Sequence, residues 1–249
     1  MTRLLPLVAT EARLLVRDWT VLVFAFAFPA LCMLILAGVF GNQPDSGFAM
    51  RRPDDYYVAA SIGVPAIALA LVGLPVALAS YRERGVLRRL EAFGVSTAKV
   101  VTAQAVVTCG LIVVAGLVVL ALAAPTYGIP HVVHPGQTVL GLAAGVLTLI
   151  LLGIAVGLAA PTARAAQAIG LLAFFPLYLL GGGGPPKGAM TGPMRTISDA
   201  LPSGITAISD PWLGVGGLGL RLAVLAGWAA AALAATAWLT RRASGDAPA

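Results

Sequence analysis

Long apolar runs separated by short polar stretches dominate the chain. About 20 apolar residues carry an α-helix across a hydrocarbon core about 30 Å thick. Six runs predict membrane spans at about 19–40, 57–80, 97–124, 138–160, 166–180 and 212–240. The predicted fold class is therefore an all-α membrane protein, with residues 1–249 forming a single transmembrane domain.

The composition agrees with a lipid environment. Of the 249 residues, 59% are hydrophobic and 10% are charged, which is too few charges to cover a soluble protein of this size. The net charge of +6 does not indicate a nucleic-acid partner, because the basic residues lie beside the apolar runs, where membrane topology accounts for them.

Lys and Arg are distributed unequally between the two sides of this map. Eleven lie on the side that holds both termini and the segment 81–99, whereas four lie on the other side. Because basic residues are retained in the cytoplasm, we expect both termini to be cytoplasmic in a multi-pass protein of the plasma membrane. No cleaved signal peptide is expected, since Arg and acidic residues interrupt the N-terminal region.

The residues before the first span, 3–18, have the pattern of an amphipathic interfacial helix. One helical face carries Leu4, Leu7, Val8, Leu14 and Leu15. Arg13 and Arg17 lie on the opposite face, where they would meet anionic lipid headgroups. Glu11 lies within the apolar face, so we expect its carboxyl group to have a polar partner; exposure to solvent at the edge of that face is the alternative.

The segment 81–94, between the second and third spans, is highly charged and has helical periodicity. One face carries Glu83, Leu87 and Leu90, and another carries Arg84, Arg88 and Glu91. Gly94 marks the helix end, and Ser96 or Thr97 begins the next span. This pattern predicts a cytoplasmic helix with a docking surface; a positively charged topology anchor is the alternative.

The stretch 180–211 cannot form one continuous helix. Four glycines, 181–184, precede Pro185 and Pro186. Met194, Ile197 and Leu201 then recur at helical spacing and favour a short helix that re-enters the membrane, with a surface loop as the alternative. The string GGGGPPKG lacks the Gly-Lys-Ser/Thr order of a phosphate-binding loop, so no nucleotide site is expected in this chain.

Candidate metal-binding and ionisable groups are few. His131 and His134 lack the further ligands that zinc or copper needs, so no metal site is expected. Cys32 and Cys109 lie in apolar runs and are expected to be buried free thiols. Arg221, inside the last run, is expected to snorkel outwards; lining a cavity that faces an anionic headgroup is the alternative.

Small residues within the runs predict close helix packing. These glycines are Gly63, Gly73, Gly110, Gly116, Gly153 and Gly157. The spans contain no catalytic constellation and no acidic mid-membrane relay, which disfavours a membrane-embedded enzyme and an ion-coupled carrier.

The string YRERGVLRRLEAFGVS, residues 81–96, resembles the segment after the second span of type-2 ABC exporter permeases, the family of the daunorubicin-type drug exporters. The Arg-Asp pair at 17–18 and Pro29 in the first span are similar to that family in the same order. The segment GPMRTISDALPSGITA, residues 192–207, with its Leu201-Pro202 pair, is also similar to that family. FGVS at 93–96 departs from the family's TPVS, which leaves the helix end open.

The resemblance implies a permease subunit that exports a hydrophobic or amphiphilic drug-like molecule or lipid. It implies two copies of a separate ATPase subunit that use ATP and Mg, a second permease chain as homodimer or heterodimer partner, contacts with membrane lipids, and no cofactor bound by this chain. The implied ATPase-coupling residues are Tyr81, Arg82, Glu83, Arg84, Leu87, Arg88, Leu90, Glu91 and Phe93. The implied re-entrant residues are Met194, Ile197, Leu201 and Pro202. The alternative function is a stand-alone six-span channel or ion-coupled carrier.

Overall fold

The computed structural model describes residues 4–17, 19–128 and 131–245, and these are mostly helical. In this part of the chain, six helices are long and apolar enough to cross a membrane, and we call them spans 1–6. They are Val23–Phe40, Pro53–Glu83, Thr97–Tyr127, Pro135–Ala159, Ala163–Gly183 and Leu218–Arg241. Among the same residues there is no β-strand, only an isolated bridge between Asp45 and Arg51. The predicted all-α, six-span fold class is confirmed.

Shorter helices lie at the two ends of the bundle. The N-terminal helix is Leu4–Leu15, the loop helix is Val86–Ala92, and the hairpin consists of helices Gly192–Ala200 and Ile205–Leu213. Helix Trp19–Leu22 leads into span 1. Short 3-10 turns are formed by Ser46–Phe48 and Lys187–Ala189. We call the end that holds 84–96 and 160–162 the basic end, and the end that holds 41–52 and 131–134 the opposite end.

Span 2 is longer than the apolar run that predicts it. It starts at Pro53, because proline suits the first helical turn, and it continues to Glu83. Gly85, with φ of 67°, then separates span 2 from the loop helix. The predicted helix 81–94 is therefore wrong in extent: its first residues form the last turn of span 2.

Span 6 starts at Leu218, not at 212 as its apolar run suggests. Trp212 belongs to the second hairpin helix, which ends where Gly214 and Gly216 adopt φ of 67° and 72°. A left-handed residue after a helix terminates it, and glycine adopts that conformation without steric cost. The hydrophobic run therefore contains two helices separated by a turn.

Span 2 forms the centre of the bundle. In its most apolar window 89% of the residues are buried, against 11% for span 6, so span 6 offers most of its surface to lipid or to a partner. Spans 1, 2 and 5 each contain a π-helical segment: Val23–Ala27, Leu69–Gly73 and Leu179–Gly183. In spans 1 and 2 a proline, Pro29 or Pro75, follows the segment, and a proline has no N–H to donate to the preceding turn.

The π-helical segment of span 2 packs against glycines of spans 4 and 5. A methyl group at Gly153 would overlap the carbonyl oxygen of Ala70, and one at Gly170 would overlap that of Leu71. Pro75 lies five and four residues after these two carbonyls and has no N–H to offer them. The backbones consequently approach each other closely at this level of the bundle.

The predicted role of the glycines holds at some positions only. A methyl group at Gly157 would lie 2.9 Å from Leu78 Cβ, and one at Gly63 would lie 3.0 Å from Ile205 Cγ1. At Gly116 the nearest atom would be at an ordinary 3.5 Å. For Gly110 the prediction is wrong, because no described atom lies within 4 Å of the added methyl group.

Candidate functional sites at the two ends of the bundle

Arg82, at the end of span 2, binds the end of span 4. Its Nη1 donates to the carbonyl oxygens of Gly157 at 3.3 Å and Ala160 at 3.2 Å, and also to that of Leu158. The last carbonyls of a helix lack intrahelical donors and carry partial negative charge, so a guanidinium group is favourable there.

Glu83 binds the start of span 5. Its Oε2 accepts a hydrogen bond from the backbone amide of Ala163 at 2.9 Å, and Thr162 caps the same helix by accepting from the Ala165 amide at 3.1 Å. The first amides of a helix are free donors that favour a carboxylate. We call Arg82, Glu83 and the turn 160–162 the clamp, because two consecutive residues of span 2 hold both sides of this turn.

Glu11 joins the N-terminal helix to spans 2 and 3. Glu11 is only 4% exposed. Its carboxyl oxygens accept hydrogen bonds from the Tyr81 hydroxyl at 2.9 and 3.1 Å and from Gln104 Nε2 at 3.3 Å. Burial raises the pKa of Glu11, and the two hydrogen bonds oppose that shift. The expected polar partner is confirmed. Gln104 was not singled out from the sequence, although an amide in an apolar run is a usable signal.

The N-terminal helix packs against span 3 through the face that carries Glu11 and Leu15, which are buried. Leu14, on the predicted apolar face, is exposed, so that face is only partly buried. Arg13 and Arg17 are exposed, as the amphipathic pattern predicts. Arg3 and Asp18 lie outside the described residues.

The loop helix has one buried and one exposed face. Leu87 is buried and Leu90 is half-buried against the bundle, whereas Phe93 is 83% exposed. The exposed charged residues are Arg84, Arg88, Arg89 and Glu91. Glu91 accepts a hydrogen bond from the Thr97 hydroxyl at 2.5 Å, which ties the loop helix to span 3. Of the residues predicted to contact an ATPase, the exposed ones are Arg82, Glu83, Arg84, Arg88, Glu91 and Phe93, whereas Tyr81 and Leu90 are half-buried and Leu87 is buried. Among the exposed residues, Arg82, Glu83 and Glu91 also make hydrogen bonds within this chain.

The hairpin reaches into the bundle from the opposite end. A methyl group at Gly145, ten residues after the start of span 4, would lie 3.0 Å from Gly204 Cα in the hairpin turn. Ten helical residues correspond to about 15 Å, roughly half of a hydrocarbon core. The second hairpin helix then returns, and the carbonyl of Trp212 accepts a hydrogen bond from the Val133 amide at 2.9 Å.

The apolar residues of the first hairpin helix face away from the bundle. Met194 is 37% and Ile197 is 50% exposed, Leu201 is half-buried, and Pro202 is buried. The second helix, whose residues lie partly in the stretch 180–211 and partly in the run that predicts span 6, is the buried one: Ile205 and Ile208 pack against Gly63 of span 2. The buried element of the segment is therefore 205–213.

Four charged residues meet where the hairpin contacts span 6. Arg221 donates from Nη1 to Asp199 at 2.9 Å and from Nε to Asp210 at 3.3 Å, and Lys187 Nζ donates to Asp199 at 2.9 Å. The expectation that Arg221 snorkels outwards is wrong: its side chain is 14% exposed, because the hairpin brings two carboxylates to it.

The surroundings of Asp199 and Asp210 shift the pKa values of their carboxyl groups in opposite directions. Burial raises the pKa of Asp210 despite the opposing cations Lys187 and Arg221. Against the effect of burial, hydrogen bonds from Lys187 and Arg221 hold the pKa of Asp199 below its ordinary value.

The histidines and cysteines are the remaining candidate groups. In the described residues, no three His, Cys, Asp or Glu side chains are grouped to hold a metal ion. Cys32 and Cys109 are free; Cys32 is half-buried, whereas Cys109 is exposed and lines an apolar groove of about 640 Å³ between spans 3 and 4. Cys109 is therefore not the buried residue that its apolar run predicts.

Together, the six spans and the contacts at their two ends define a multi-pass, all-helical membrane protein. A family model described as ABC-2 type transporter matches residues 2–206, and the chain belongs to this family. It is thus a permease subunit of the ABC-transporter type, a membrane transport domain that is not itself catalytic. A comparison with curated proteins gave no match.

Proposed function

We propose that this chain is the membrane-spanning half of an ATP-driven exporter. Two copies of a separate ATPase subunit would bind and hydrolyse ATP with Mg, and a second permease chain would complete the pathway. The basic end would face the cytoplasm of a plasma-membrane protein with both termini inside, in agreement with the excess of Lys and Arg there.

The observation that carries this proposal is the clamp beside the loop helix. The loop helix is the coupling helix of the proposal, and its accessible face combines Arg84, Arg88 and Arg89 with the exposed ring of Phe93. An aromatic anchor surrounded by arginines is typical of protein-docking surfaces. Arg82 and Glu83, in the last turn of span 2 before it, are hydrogen-bonded to the ends of spans 4 and 5.

This arrangement supports a rigid-body mechanism. A displacement of the coupling helix would move the last turn of span 2, and the clamp would carry the turn 160–162 with it. Through Tyr81 and Glu11 the same displacement would reach the N-terminal helix. The π-helical segments of spans 1, 2 and 5 are positions at which these spans can bend.

The cargo that suits this permease is a hydrophobic or amphiphilic molecule, either drug-like or a lipid. The apolar walls of the spans and of the groove between spans 3 and 4 favour such a cargo over sugars and ions. The hairpin, whose turn lies beside Gly145 and Gly63, is in this proposal a re-entrant element on the outer side.

The test is purification of the tagged full chain from membranes that also contain its ATPase. We expect an ABC ATPase subunit to co-purify with the native chain, and Mg-ATP hydrolysis to accompany it. Phe93→Asp and Arg88→Glu should each reduce the recovered ATPase at least about tenfold, as expected for docking hot spots. Met50→Asp and Arg51→Glu place the same changes on exposed residues of the opposite end and should leave recovery unchanged.

Two results would overturn the proposal. In the first, the native chain reaches the membrane but purifies without any nucleotide-hydrolysing subunit. The other is equal loss of ATPase from the variants at both ends, which would mean that the loop-helix surface is not the docking site. Export itself is measured as ATP-dependent uptake of fluorescent hydrophobic amphiphiles into inside-out vesicles, with ADP as the control.

A further inference from the structure

A second cavity, of about 300 Å³, lies at the opposite end of the bundle. Its lining includes the loop 46–49, Tyr56, Pro186, Gly188 and Thr206. Its charged lining residues are Lys187, Asp210 and Arg221. The volume is at the lower end of the range of about 300–1,000 Å³ that is usual for ligand sites.

The position of this cavity along the bundle suits a lipid headgroup. Tyr56 is three residues after the start of span 2 at Pro53, and Arg221 is three residues after the start of span 6 at Leu218. Three helical residues correspond to about 5 Å. A headgroup layer is about 5–8 Å thick on each side of the hydrocarbon core, so the cavity lies at its level.

The charges around the cavity disfavour a simple ionic ligand. The positive charges of Lys187 and Arg221 are balanced by two carboxylates. Asp210, which lines the cavity, accepts a hydrogen bond from Arg221, and Asp199 accepts hydrogen bonds from both cations. A ligand with a net charge would leave one partly buried group without a counter-charge, which is costly. A ligand that carries one positive and one negative group can exchange partners with the Arg221–Asp210 pair and keep the balance.

We propose that this cavity binds the headgroup of a zwitterionic amphiphile that carries a primary ammonium and a phosphate. The ammonium lies at the carboxylate of Asp210, and the phosphate lies between Lys187 and Arg221, where a guanidinium fork suits phosphate oxygens. The hydroxyl of Thr206, a residue that is 6% exposed and lines the cavity, provides a further hydrogen-bonding group. This proposal concerns binding and stands independently of ATP-driven export.

The test uses the purified full chain in detergent, titrated with phospholipids that share the same acyl chains. The thermal unfolding midpoint is followed against added phosphatidylethanolamine, phosphatidylcholine, phosphatidylglycerol or diacylglycerol. Phosphatidylcholine keeps the charges but cannot donate a hydrogen bond from its ammonium, phosphatidylglycerol lacks the ammonium, and diacylglycerol lacks both groups. We expect phosphatidylethanolamine to bind about tenfold more tightly than phosphatidylcholine, the size expected for one charge-assisted hydrogen bond, and at least about tenfold more tightly than phosphatidylglycerol and diacylglycerol.

Two variants assign the preference to residues. Asp210→Asn should remove the preference for phosphatidylethanolamine over phosphatidylcholine, and Arg221→Gln should reduce the advantage of the phospholipids over diacylglycerol. Arg51→Gln, on an exposed arginine of the same end, is the matched control and should keep the native ranking. The ranking of lipids by the native chain tests the proposal even if a variant fails to fold.

Three outcomes would overturn this assignment. The first is that the native chain binds phosphatidylcholine or phosphatidylglycerol as tightly as it binds phosphatidylethanolamine. The second is an unchanged ranking in folded Asp210→Asn. The third is equal stabilisation by soluble phosphoethanolamine, which would identify a free phosphoryl amine from the water phase, and not an amphiphile, as the ligand.

Discussion

Glu83 Oε2 accepts a hydrogen bond from the backbone amide of Ala163 at 2.9 Å, although the two residues are 80 positions apart in the sequence. Its neighbour Arg82 holds the other side of the same turn through Gly157 and Ala160. Three spans thus meet at two consecutive side chains, which Arg84 and Gly85 separate from the loop helix. In the proposed mechanism, a force on the loop helix would reach this junction.

Removal of the guanidinium group of the clamp should destabilise the chain. Arg82→Ala leaves the last carbonyls of span 4 without this donor, and we expect the free energy of unfolding to fall by about 1–2 kcal/mol. Arg84→Ala removes an exposed arginine two residues further on and should change it by less than about 0.5 kcal/mol. Unfolding of both variants in detergent, followed by temperature or denaturant, gives the comparison; equal effects would mean that the clamp contributes nothing to stability.

The glycine that faces the π-helical segment of span 2 should not tolerate a side chain. Gly153→Ala forces a methyl group against the carbonyl of Ala70, so we expect a loss of about 1–3 kcal/mol, as for overpacked cores. Gly110→Ala adds the same methyl group in open space and should be neutral or slightly stabilising, because alanine favours a helix. Unfolding midpoints that fall equally in both variants would contradict the close contact.

Docking of the N-terminal helix should depend on pH through Glu11. Burial raises the pKa of Glu11 above its ordinary value of 4.5, so the folded state favours the protonated carboxyl group. Its contribution to stability is therefore fully present below pH 4.5 and is lost as the pH rises through the folded-state pKa. Glu11→Gln resembles the protonated group and should not show this dependence.

The measurement for Glu11 is the difference in unfolding midpoint between the native chain and Glu11→Gln across pH. All other titrating groups are shared, so their contributions largely cancel. The native chain should become less stable relative to the variant as the pH rises. Parallel curves, or a difference of the opposite sign, would contradict the buried environment of this carboxyl group.

Hydrophobic periodicity is sufficient to predict the six spans because lipid requires long apolar helices whatever their packing. It also predicts that Glu11 needs a partner, since a carboxyl group on an apolar face is costly to bury alone. The identity of that partner was not predicted. Tyr81 and Gln104 approach Glu11 only after three separate helices have packed together.

The charged contacts at both ends could not be predicted for the same reason. Arg82 and Glu83 are exposed, as surface residues should be, but they also bind a turn that lies about 80 residues away and contains no complementary charge. Arg221 read as a lone cation in a span, because Asp199 and Asp210 reach it only through the fold of the hairpin. Sequence periodicity is local, whereas these pairings depend on tertiary structure.

The most direct test of coupling through the clamp follows the opposite end of the permease while the ATPase works. Spin labels are placed at Met50→Cys and Met194→Cys, both exposed, in a chain whose Cys32 and Cys109 are replaced by alanine. The distance between the labels is measured in the complex with its ATPase, with and without Mg-ATP. We predict an ATP-dependent change in this chain and a strongly reduced change when Arg82→Ala and Glu83→Ala are combined, although the ATPase remains bound. An ATP-dependent change of the same size without the clamp would contradict this account.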